Sequence, residues 1–282
     1  MIGQLISSIT KALSRCPSVK GIVLGGSRAT QTAAESSDID IGIYYDRAAL
    51  DYDMLNAAAR ELDDAHRENL ICHEGEWGSW VNCGGWLTVG GIPVDLILRD
   101  ISRIKECLNQ TDAGVISCHY QTGHPHAYLN VMYRGELASG KLLYAENDEF
   151  RVLKQRAEAY PEPMRKALLS SFLFEADFSC ALAKKSLGTR ELYYTVGHLF
   201  RSISALNQVL FALSRVYCLN EKKATLRIEN FPAAPKHYRS KVERILSVTP
   251  ETPAASVSEL EQLCCDVRQL YENDCRMSAE II

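Results

Sequence analysis

The spacing of apolar residues changes once along this chain, about half-way, and that change limits the folds it can adopt. In the first half, short apolar runs are separated by glycine-rich turns, a pattern typical of strands. In the second half, residues 164–186, 190–219 and 256–277 carry apolar residues at helical spacing and contain almost no Gly or Pro. We therefore predict an α+β chain, with an N-terminal mixed-sheet domain over residues 1–148 and an all-α C-terminal domain over residues 149–282.

Composition narrows the class of protein. The chain has 282 residues, 46% of them apolar, which is enough for two ordinary domains with their own cores. Its net charge of −4 argues against a dedicated nucleic-acid binder, which usually carries a basic face. The ten cysteines form no Cys-x-x-Cys pair, and there is neither a signal-peptide pattern nor an apolar run of about 18 residues. We expect reduced thiols, a cytoplasmic location and no membrane segment.

Two strands are predicted near the N-terminus, after a helix over residues 2–15. The apolar run Val19–Leu24 ends at Gly25–Gly26, which indicates a buried strand followed by a tight turn. A small, polar stretch follows over residues 27–37. The next strand, Asp38–Tyr44, alternates, so its two Asp side chains point to one face and its Ile side chains to the other.

A β-hairpin is predicted further along. Gly90–Gly91 separates the apolar runs 86–89 and 92–99, and a Gly-Gly pair between two such runs is a good two-residue turn signal. Pro93 indicates an edge strand or a strand start. Asp95 is a lone carboxylate inside the otherwise apolar second arm, and burying it unpaired would be costly unless it faces solvent or a metal ion.

These features together predict phosphate chemistry. Carboxylates at i and i+2 of a strand, such as Asp38 and Asp40, lie close together and repel unless a cation sits between them. Mg²⁺ is usually held by one or two carboxylates plus substrate phosphates. Asp95 could ligate a second metal ion or accept a proton from an attacking hydroxyl. Gly26 and Ser27 offer backbone N–H groups and a hydroxyl to phosphates, with the dipole of a following helix in support.

Three segments carry a resemblance to a known family. Gly25–Ala29, Asp38–Ile41 and Val94–Leu96 together resemble the signature of the DNA polymerase β-like nucleotidyltransferase superfamily, over the stretch from Leu24 to Leu98. The two-domain layout is similar to the small-molecule branch, whose members adenylylate aminoglycosides or lincosamides. The resemblance implies Mg²⁺, two ions in all, an NTP such as ATP as the substrate, and release of pyrophosphate.

The resemblance also implies roles for individual residues. Ser27 matches the phosphate-contacting serine, Asp38 and Asp40 match the metal ligands, and Asp95 matches the third carboxylate. Some antibiotic-modifying members have Glu at that third position. The catalytic and metal-binding predictions are thus the same three residues, Asp38, Asp40 and Asp95. No residue of the C-terminal half matches the family, and that half decides the acceptor.

Basic residues provide further candidates. Arg28 either steadies phosphate or is an ordinary surface residue. Lys223, with Lys222, either meets the triphosphate or complements the dipole at the end of the preceding helix. Arg201 and Arg215 are equally ambiguous. The predicted nucleotide-binding set is therefore Gly26, Ser27, Arg28 and Lys223.

Two clusters have more than one interpretation. Cys118, His119, His124 and His126 are typical zinc ligands by residue type, but their spacing favours an ordinary loop. The three Trp residues near the hairpin either line a ligand pocket or fill a core, and we favour packing; they are Trp77, Trp80 and Trp86.

Glu175 and Asp177 interrupt the apolar stripe of a C-terminal helix. They either face the acceptor or form a solvent-facing pair, and we favour the solvent-facing pair.

The predicted function is transfer of a nucleoside monophosphate, AMP in the first instance, to a hydroxyl of a small molecule, with antibiotics as the candidate class of acceptor. The length of the C-terminal half argues against the alternative of a protein-adenylylating, antitoxin-like enzyme. The acidic net charge and the lack of a basic, aromatic-interleaved stretch argue against an RNA acceptor. A catalytically inactive nucleotide-binding protein is a further alternative, although all three carboxylates are present. A homodimer stays open, because antibiotic-modifying members of the superfamily include dimers.

Overall fold

The computed structural model describes residues 2–29 and 37–279, so most of the polar stretch 27–37 lies outside the described residues. The chain divides into two compact units, each made of three segments that alternate along the sequence. The first, here called the sheet unit, comprises Met1–Thr111, Ser117–Gly123 and Ala127–Ala159. The second, here called the helical unit, comprises Asp112–Ile116, His124–His126 and Tyr160–Ile282.

The sheet unit contains a five-stranded sheet of order β3-β4-β2-β1-β7. The strands are β1 (Val19–Leu24), β2 (Ile39–Tyr45), β3 (Cys83–Val89), β4 (Ile92–Asp100) and β7 (Lys141–Ala145), with β5 (Cys118–His119) and β6 (Tyr128–Leu129) forming a separate two-stranded sheet. The helices are α1 (Ile2–Leu13), α2 (Gly26–Ala29), α3 (Tyr52–Leu62), α4 (Ile101–Asp112), α5 (Asn130–Ser139) and α6 (Asp148–Glu158). The predicted α+β class is confirmed.

One face of the five-stranded sheet packs on the main core of this unit. Ile39, Ile41 and Ile43 of β2 are fully buried, together with Ile9 and Leu13 of α1. The alternation of β2 turns the residues between the three isoleucines to the opposite face. The core therefore fixes which face of the sheet carries the carboxylates.

The sheet is mixed because β2 and β4 run parallel, whereas the other strand pairs run antiparallel. Parallel strands begin at the same edge of a sheet, so residues near the N-terminal ends of β2 and β4 become neighbours. Asp40 pairs in register with Asp95 at that edge.

The predicted hairpin is confirmed. Gly90 and Gly91 connect β3 to β4 with φ angles of 58° and 75°, the left-handed values that a type I′ turn requires at both central positions. The carboxylate of Asp64 accepts the N–H groups of both glycines at 2.8 Å. Pro93 is the second residue of β4, in agreement with a strand start.

Strand β3 lies at the edge of the sheet, and the segment after α3 covers its outer backbone groups. The N–H of Thr88 donates to the carboxylate of Asp63, and the guanidinium of Arg67 donates to the carbonyl of Trp86. The N–H of Cys72 donates to the carbonyl of Gly84 at 2.9 Å.

Helices of five to 27 residues build the described part of the helical unit. They are α7 (Glu162–Ser186), α8 (Leu192–Leu213), α9 (Ala224–Ile228), α10 (Tyr238–Leu246) and α11 (Pro253–Ala279). Every residue of α8 from Ser202 to Leu213 is buried, so this helix forms the centre of the unit.

The helix predicted over 190–219 ends earlier, at Leu213. Arg215 has a left-handed φ of 53°, and its N–H bonds to the carbonyl of Ala212 while the N–H of Val216 bonds to the carbonyl of Phe211. These are the two bonds of a Schellman motif, which usually has Gly at the left-handed position. Because Arg215 occupies this position instead of Gly, the sequence carries no signal for the end of the helix.

None of the described helices is long and apolar enough to cross a membrane. All ten cysteines are free thiols.

Candidate active site

A row of four residues crosses the sheet at the edge where β2 and β4 begin. Trp86 of β3 pairs with Asp95 of β4, and Asp95 pairs with Asp40 of β2. The N–H of Gly25, directly after β1, donates to the carbonyl of Asp40 at 2.8 Å. Neighbouring strands lie about 4.8 Å apart, so the two carboxylates are adjacent, with a glycine turn on one side and an indole on the other.

The turn after β1 brings the backbone close to Asp40. Gly26 has a φ of +56°, and a Cβ added there would lie 2.6 Å from Cγ of Asp40. Only glycine satisfies both conditions. Ser27 follows within α2, which has four residues, so the helix dipole that the sequence predicted as support for phosphate is small.

Arg28 connects the turn to the segment that leads into β2. Its Nε donates to the carbonyl of Asp38 at 3.0 Å, and its Nη2 donates to the carbonyl of Ser37. The guanidinium therefore holds the backbone at Asp38, whose side chain is exposed just before β2 begins. This placement gives Arg28 a positioning role beside its predicted contact with phosphate.

The electrostatics of the site centre on Asp95. Burial raises the pKa of its carboxyl, and the negative charges of Asp40 and Asp38 raise it further. Two carboxylates on adjacent strands favour a proton or a cation between them.

The donor set suits a hard divalent cation. Asp38, Asp40 and Asp95 supply oxygen ligands only, and their mutual repulsion is what a cation would relieve. Within residues 2–29 and 37–279, no group of three or more His, Cys, Asp or Glu side chains is assembled to hold a metal ion alone. A cation here would therefore complete its coordination with water and substrate phosphates, as Mg²⁺ commonly does.

Comparison with known families decides the class. The family model described as polymerase beta, nucleotidyltransferase, matches residues 7–73, which include the glycine turn and the first two carboxylates and end before Asp95. This chain contains a polymerase β nucleotidyltransferase domain. The resemblance found from the sequence is thereby confirmed for the superfamily, and so is the prediction of a nucleotidyltransferase.

Other comparisons add little about the activity of this nucleotidyltransferase. No curated protein matches it significantly. Among solved structures, a nucleotidyltransferase-like protein from Exiguobacterium sibiricum 255-15 is similar at 10% identity and a TM-score of 0.45, over 96% of this chain and 78% of that one. The CdnC:HORMA-deltaN complex of E. coli MS115-1 is similar at 15% identity and a TM-score of 0.25, over 98% and 82%. At these scores neither similarity bears on the activity.

Lys223 of the nucleotidyltransferase lies in the helical unit, exposed, as the N-cap residue of α9. It does not complement the dipole of α8, because that helix ends ten positions earlier. Its contact with triphosphate stays a prediction. The two ambiguous arginines form ion pairs at 2.7 Å, Arg201 with Glu175 and Arg215 with Glu162.

The zinc interpretation of the Cys/His cluster is not supported among the described residues. Cys118 and His119 belong to the sheet unit, where the His119 ring stacks on Trp80 with centroids 3.9 Å apart. His124 and His126 belong to the helical unit and pair with carboxylates there.

The predicted solvent-facing pair on α7 is wrong for Glu175. Burial would raise its pKa, but the hydrogen bond from His126 at 3.0 Å and the charge of Arg201 hold the pKa below its usual range. His124 makes a similar pair with Glu221 at 3.5 Å. The sequence pointed to His124, His126 and Glu175 but not to Glu221. It does not reveal the two pairs, because the partners lie far apart along the chain.

Trp86 differs from the packing that we favoured for the tryptophans. Its side chain is 61% exposed, whereas Trp77 and Trp80 are partly buried. The signal was available in the sequence: counting outward from a two-residue turn at Gly90–Gly91 places position 86 opposite Asp95.

Proposed function

We propose that this nucleotidyltransferase is Mg²⁺-dependent and transfers a nucleoside monophosphate, AMP in the first instance, from an NTP to a hydroxyl of a small molecule. The observation that carries the proposal is the in-register pairing of Asp40 with Asp95 beside the Gly25–Gly26 turn. Adjacent carboxylates next to a close-approach turn suit phosphoryl chemistry, in which positioning and charge neutralisation supply most of the catalysis.

Asp38 and Asp40, with Asp95 as the third carboxylate, would hold the metal ions. A bound divalent cation supplies neutralisation of the negative charge that develops on the transferred phosphate. The chain's own contribution is to keep these carboxylates on one face of two paired strands. The isoleucines of β2 hold that face outward, because they are buried on the opposite side.

Asp95 is the proposed base. It pairs in register with Asp40 on the adjacent strand, so its carboxylate would lie beside the transferred phosphorus, within reach of an attacking hydroxyl. The acceptor hydroxyl would pass its proton to a carboxylate oxygen of Asp95 as its oxygen bonds to the α-phosphorus. The bond from that phosphorus to the bridging oxygen breaks, and pyrophosphate leaves with the electron pair.

Gly26 and Ser27 would bind the leaving phosphates through the N–H groups of the turn and the Ser27 hydroxyl. Glycine at position 26 lets the backbone lie against Asp40, so phosphates bound there sit directly beside the carboxylates.

A small-molecule acceptor fits the composition better than a nucleic acid. The net charge is −4, and a chain that tracks phosphate backbones usually carries a basic surface. Antibiotics such as aminoglycosides or lincosamides are the first candidates. The ten free thiols support a reducing, cytoplasmic location.

The test is pyrophosphate release with Mg²⁺ and each of the four NTPs, with and without pooled aminoglycosides and lincosamides. Asp40→Asn serves as the blank. Asp53→Asn is the matched control, because it makes the same charge change at an exposed position of α3.

We expect release that needs the pool, is lost in the blank and persists in the control. Release without the pool would point to another acceptor. Release by Asp40→Asn at the wild-type rate would contradict the metal-site assignment, and failure of the protein to bind any NTP would contradict the proposed nucleotidyl transfer itself.

A further inference from the structure

An exposed indole stands beside the carboxylates. Trp86 is 61% exposed although it lies within β3, between the buried residues Gly85 and Leu87. Residues paired directly across antiparallel strands point to the same face, so its side chain shares a face with Asp95. A tryptophan that leaves most of its surface in water, on the face that carries the chemistry, is a candidate ligand contact.

The indole is held in place rather than loose. Trp77 stacks on Trp86 with ring centroids 4.6 Å apart and an angle of 25° between planes. Trp77 can approach because position 84 is glycine: a Cβ there would lie 2.6 Å from Cη2 of Trp77. Arg67 donates to the carbonyl of Trp86 at 3.1 Å and fixes its backbone. The pair Trp77–Trp86, here called the indole platform, is thus ordered before any ligand arrives.

The row of Gly25, Asp40, Asp95 and Trp86 across the sheet indicates which substrate would contact the indole platform. In an in-line transfer the attacking and leaving oxygens lie on opposite sides of the phosphorus. With the leaving phosphates at the turn that begins at Gly25, and the transferred phosphorus at Asp40 and Asp95, the attacking group approaches from the side of β3. Trp86 is the next residue in the row on that side.

We propose that the indole platform binds the acceptor, and that the acceptor carries a ring, aromatic or sugar, close to its reactive hydroxyl. Both ring types stack on an exposed indole face, and stacking would bring the hydroxyl to Asp95 on the adjacent strand. The inference rests on the proposed function, because it takes its direction from nucleotidyl transfer at Asp40 and Asp95. It goes further in assigning an acceptor subsite and the chemical class that it takes.

The experiment fills the nucleotide site first. Protein is saturated with Mg²⁺ and α,β-methylene-ATP, and binding of that analogue is measured on the same sample. Three probes are then titrated by NMR saturation transfer: benzyl alcohol for an aromatic ring next to a hydroxyl, kanamycin A for sugar rings, and glycerol for hydroxyls without a ring. The variants are Trp86→Ala, Trp86→Phe and, as the control, Trp80→Phe, whose ring stacks on His119 instead.

We expect at least one ring probe to bind, and glycerol to bind far more weakly. Trp86→Ala should weaken the ring probe roughly tenfold, in line with the energy of stacking one base on an aromatic side chain, while Trp86→Phe keeps most of the affinity. Analogue binding should be unchanged in all three variants. Which of the two ring probes binds distinguishes an aromatic from a sugar acceptor.

Two results would overturn the inference. The first is that the acceptor subsite shows no dependence on the platform: neither ring probe binds to the wild type, or Trp86→Ala binds the ring probe as tightly as the wild type does. The other is that Trp86→Ala loses the analogue instead, which would make Trp86 a nucleotide contact. Failure of the wild type to bind the analogue with Mg²⁺ would contradict the proposed function itself, and so is told apart from failure of the acceptor subsite.

Discussion

Asp95 connects stability with catalysis at the scale of single residues. Burial, then the charges of Asp40 and Asp38, raise the pKa of its carboxyl in the folded protein. Between the unfolded and the folded pKa, the folded state therefore binds more protons than the unfolded state. Stability falls as pH rises through that interval.

Asp95→Asn should abolish turnover and stabilise the protein in the absence of divalent cations. At pH 7 the variant no longer carries the repelled charge, and we expect its Tm to rise by roughly 2 °C. The gain should vanish below pH of about 4, where an unfolded carboxyl also holds its proton. Thermal melts in a chelating buffer across this pH range measure it, and a lower Tm at pH 7 would contradict the electrostatic account.

Gly26→Ala tests the close approach between the turn and Asp40. Alanine at a φ of +56° costs about 1–2 kcal/mol, and its Cβ would also displace the Asp40 carboxylate. Gly91→Ala is the matched control, since its φ is +75° and nothing lies within 4 Å of an added Cβ. Denaturant unfolding should show a larger loss for Gly26→Ala, and only that variant should lose pyrophosphate release. If Gly26→Ala and Gly91→Ala lost stability and activity to the same extent, the close approach of Gly26 to Asp40 would have no special role.

At the scale of elements, two consecutive aspartates attach α3 to the hairpin. Asp63, fully buried, accepts the N–H of Thr88 at 2.9 Å and the guanidinium of Arg67 at 2.7 Å. Asp64 accepts the N–H groups of the two turn glycines. The hydrogen bonds from Arg67 hold the pKa of Asp63 well below its usual range, although burial opposes this.

Asp63→Asn should destabilise the protein by about 2 kcal/mol, because it leaves buried hydrogen bonds to Thr88 and Arg67 imperfectly matched. A carboxyl whose pKa is lowered in the folded state adds to the free energy of unfolding at pH values above its unfolded pKa of about 4. That added stability is lost as pH falls below this value. Urea unfolding at pH 7 and pH 3 should therefore show a smaller difference between variant and wild type at pH 3. An unchanged difference would mean that Asp63 acts through packing rather than charge.

Individual strands and turns differ in how far the sequence could predict them. The Gly90–Gly91 hairpin was predictable because its turn chemistry is local. The pairing of β2 with β4 was not, since their partners are separated by more than fifty positions and the parallel register depends on the finished core. Strand β7 was missed because its five residues are exposed or half-buried and show no alternation. The carboxylates of the site could be named from the sequence, but their adjacency could not be seen there.

At the scale of the whole molecule, neither of the two units is continuous in sequence. Residues 112–116 and 124–126 belong to the helical unit although sheet-unit residues flank them. The N–H of His126 donates to Glu221 at 2.9 Å, and its ring bonds to Glu175. No single cut therefore separates the units cleanly.

A fragment of residues 1–159 should fold less stably than the same residues within the full chain. It lacks Glu175 and Glu221, so the segment 124–126 loses its hydrogen-bonding partners. Hydrogen exchange should show the amide of His126 unprotected in the fragment, with the five-stranded sheet less affected. Equal protection of that amide in fragment and full chain would show that the sheet unit holds the segment without help.

The covered edge of β3 bears on self-association. Unpaired outer strands invite another copy of the chain to add its own strand and extend the sheet. Here Asp63, Arg67 and Cys72 already engage the outward backbone groups of β3. If two copies of this chain join, they will do so through side-chain surfaces rather than by continuing the sheet at β3, and this edge will not seed fibrous aggregates.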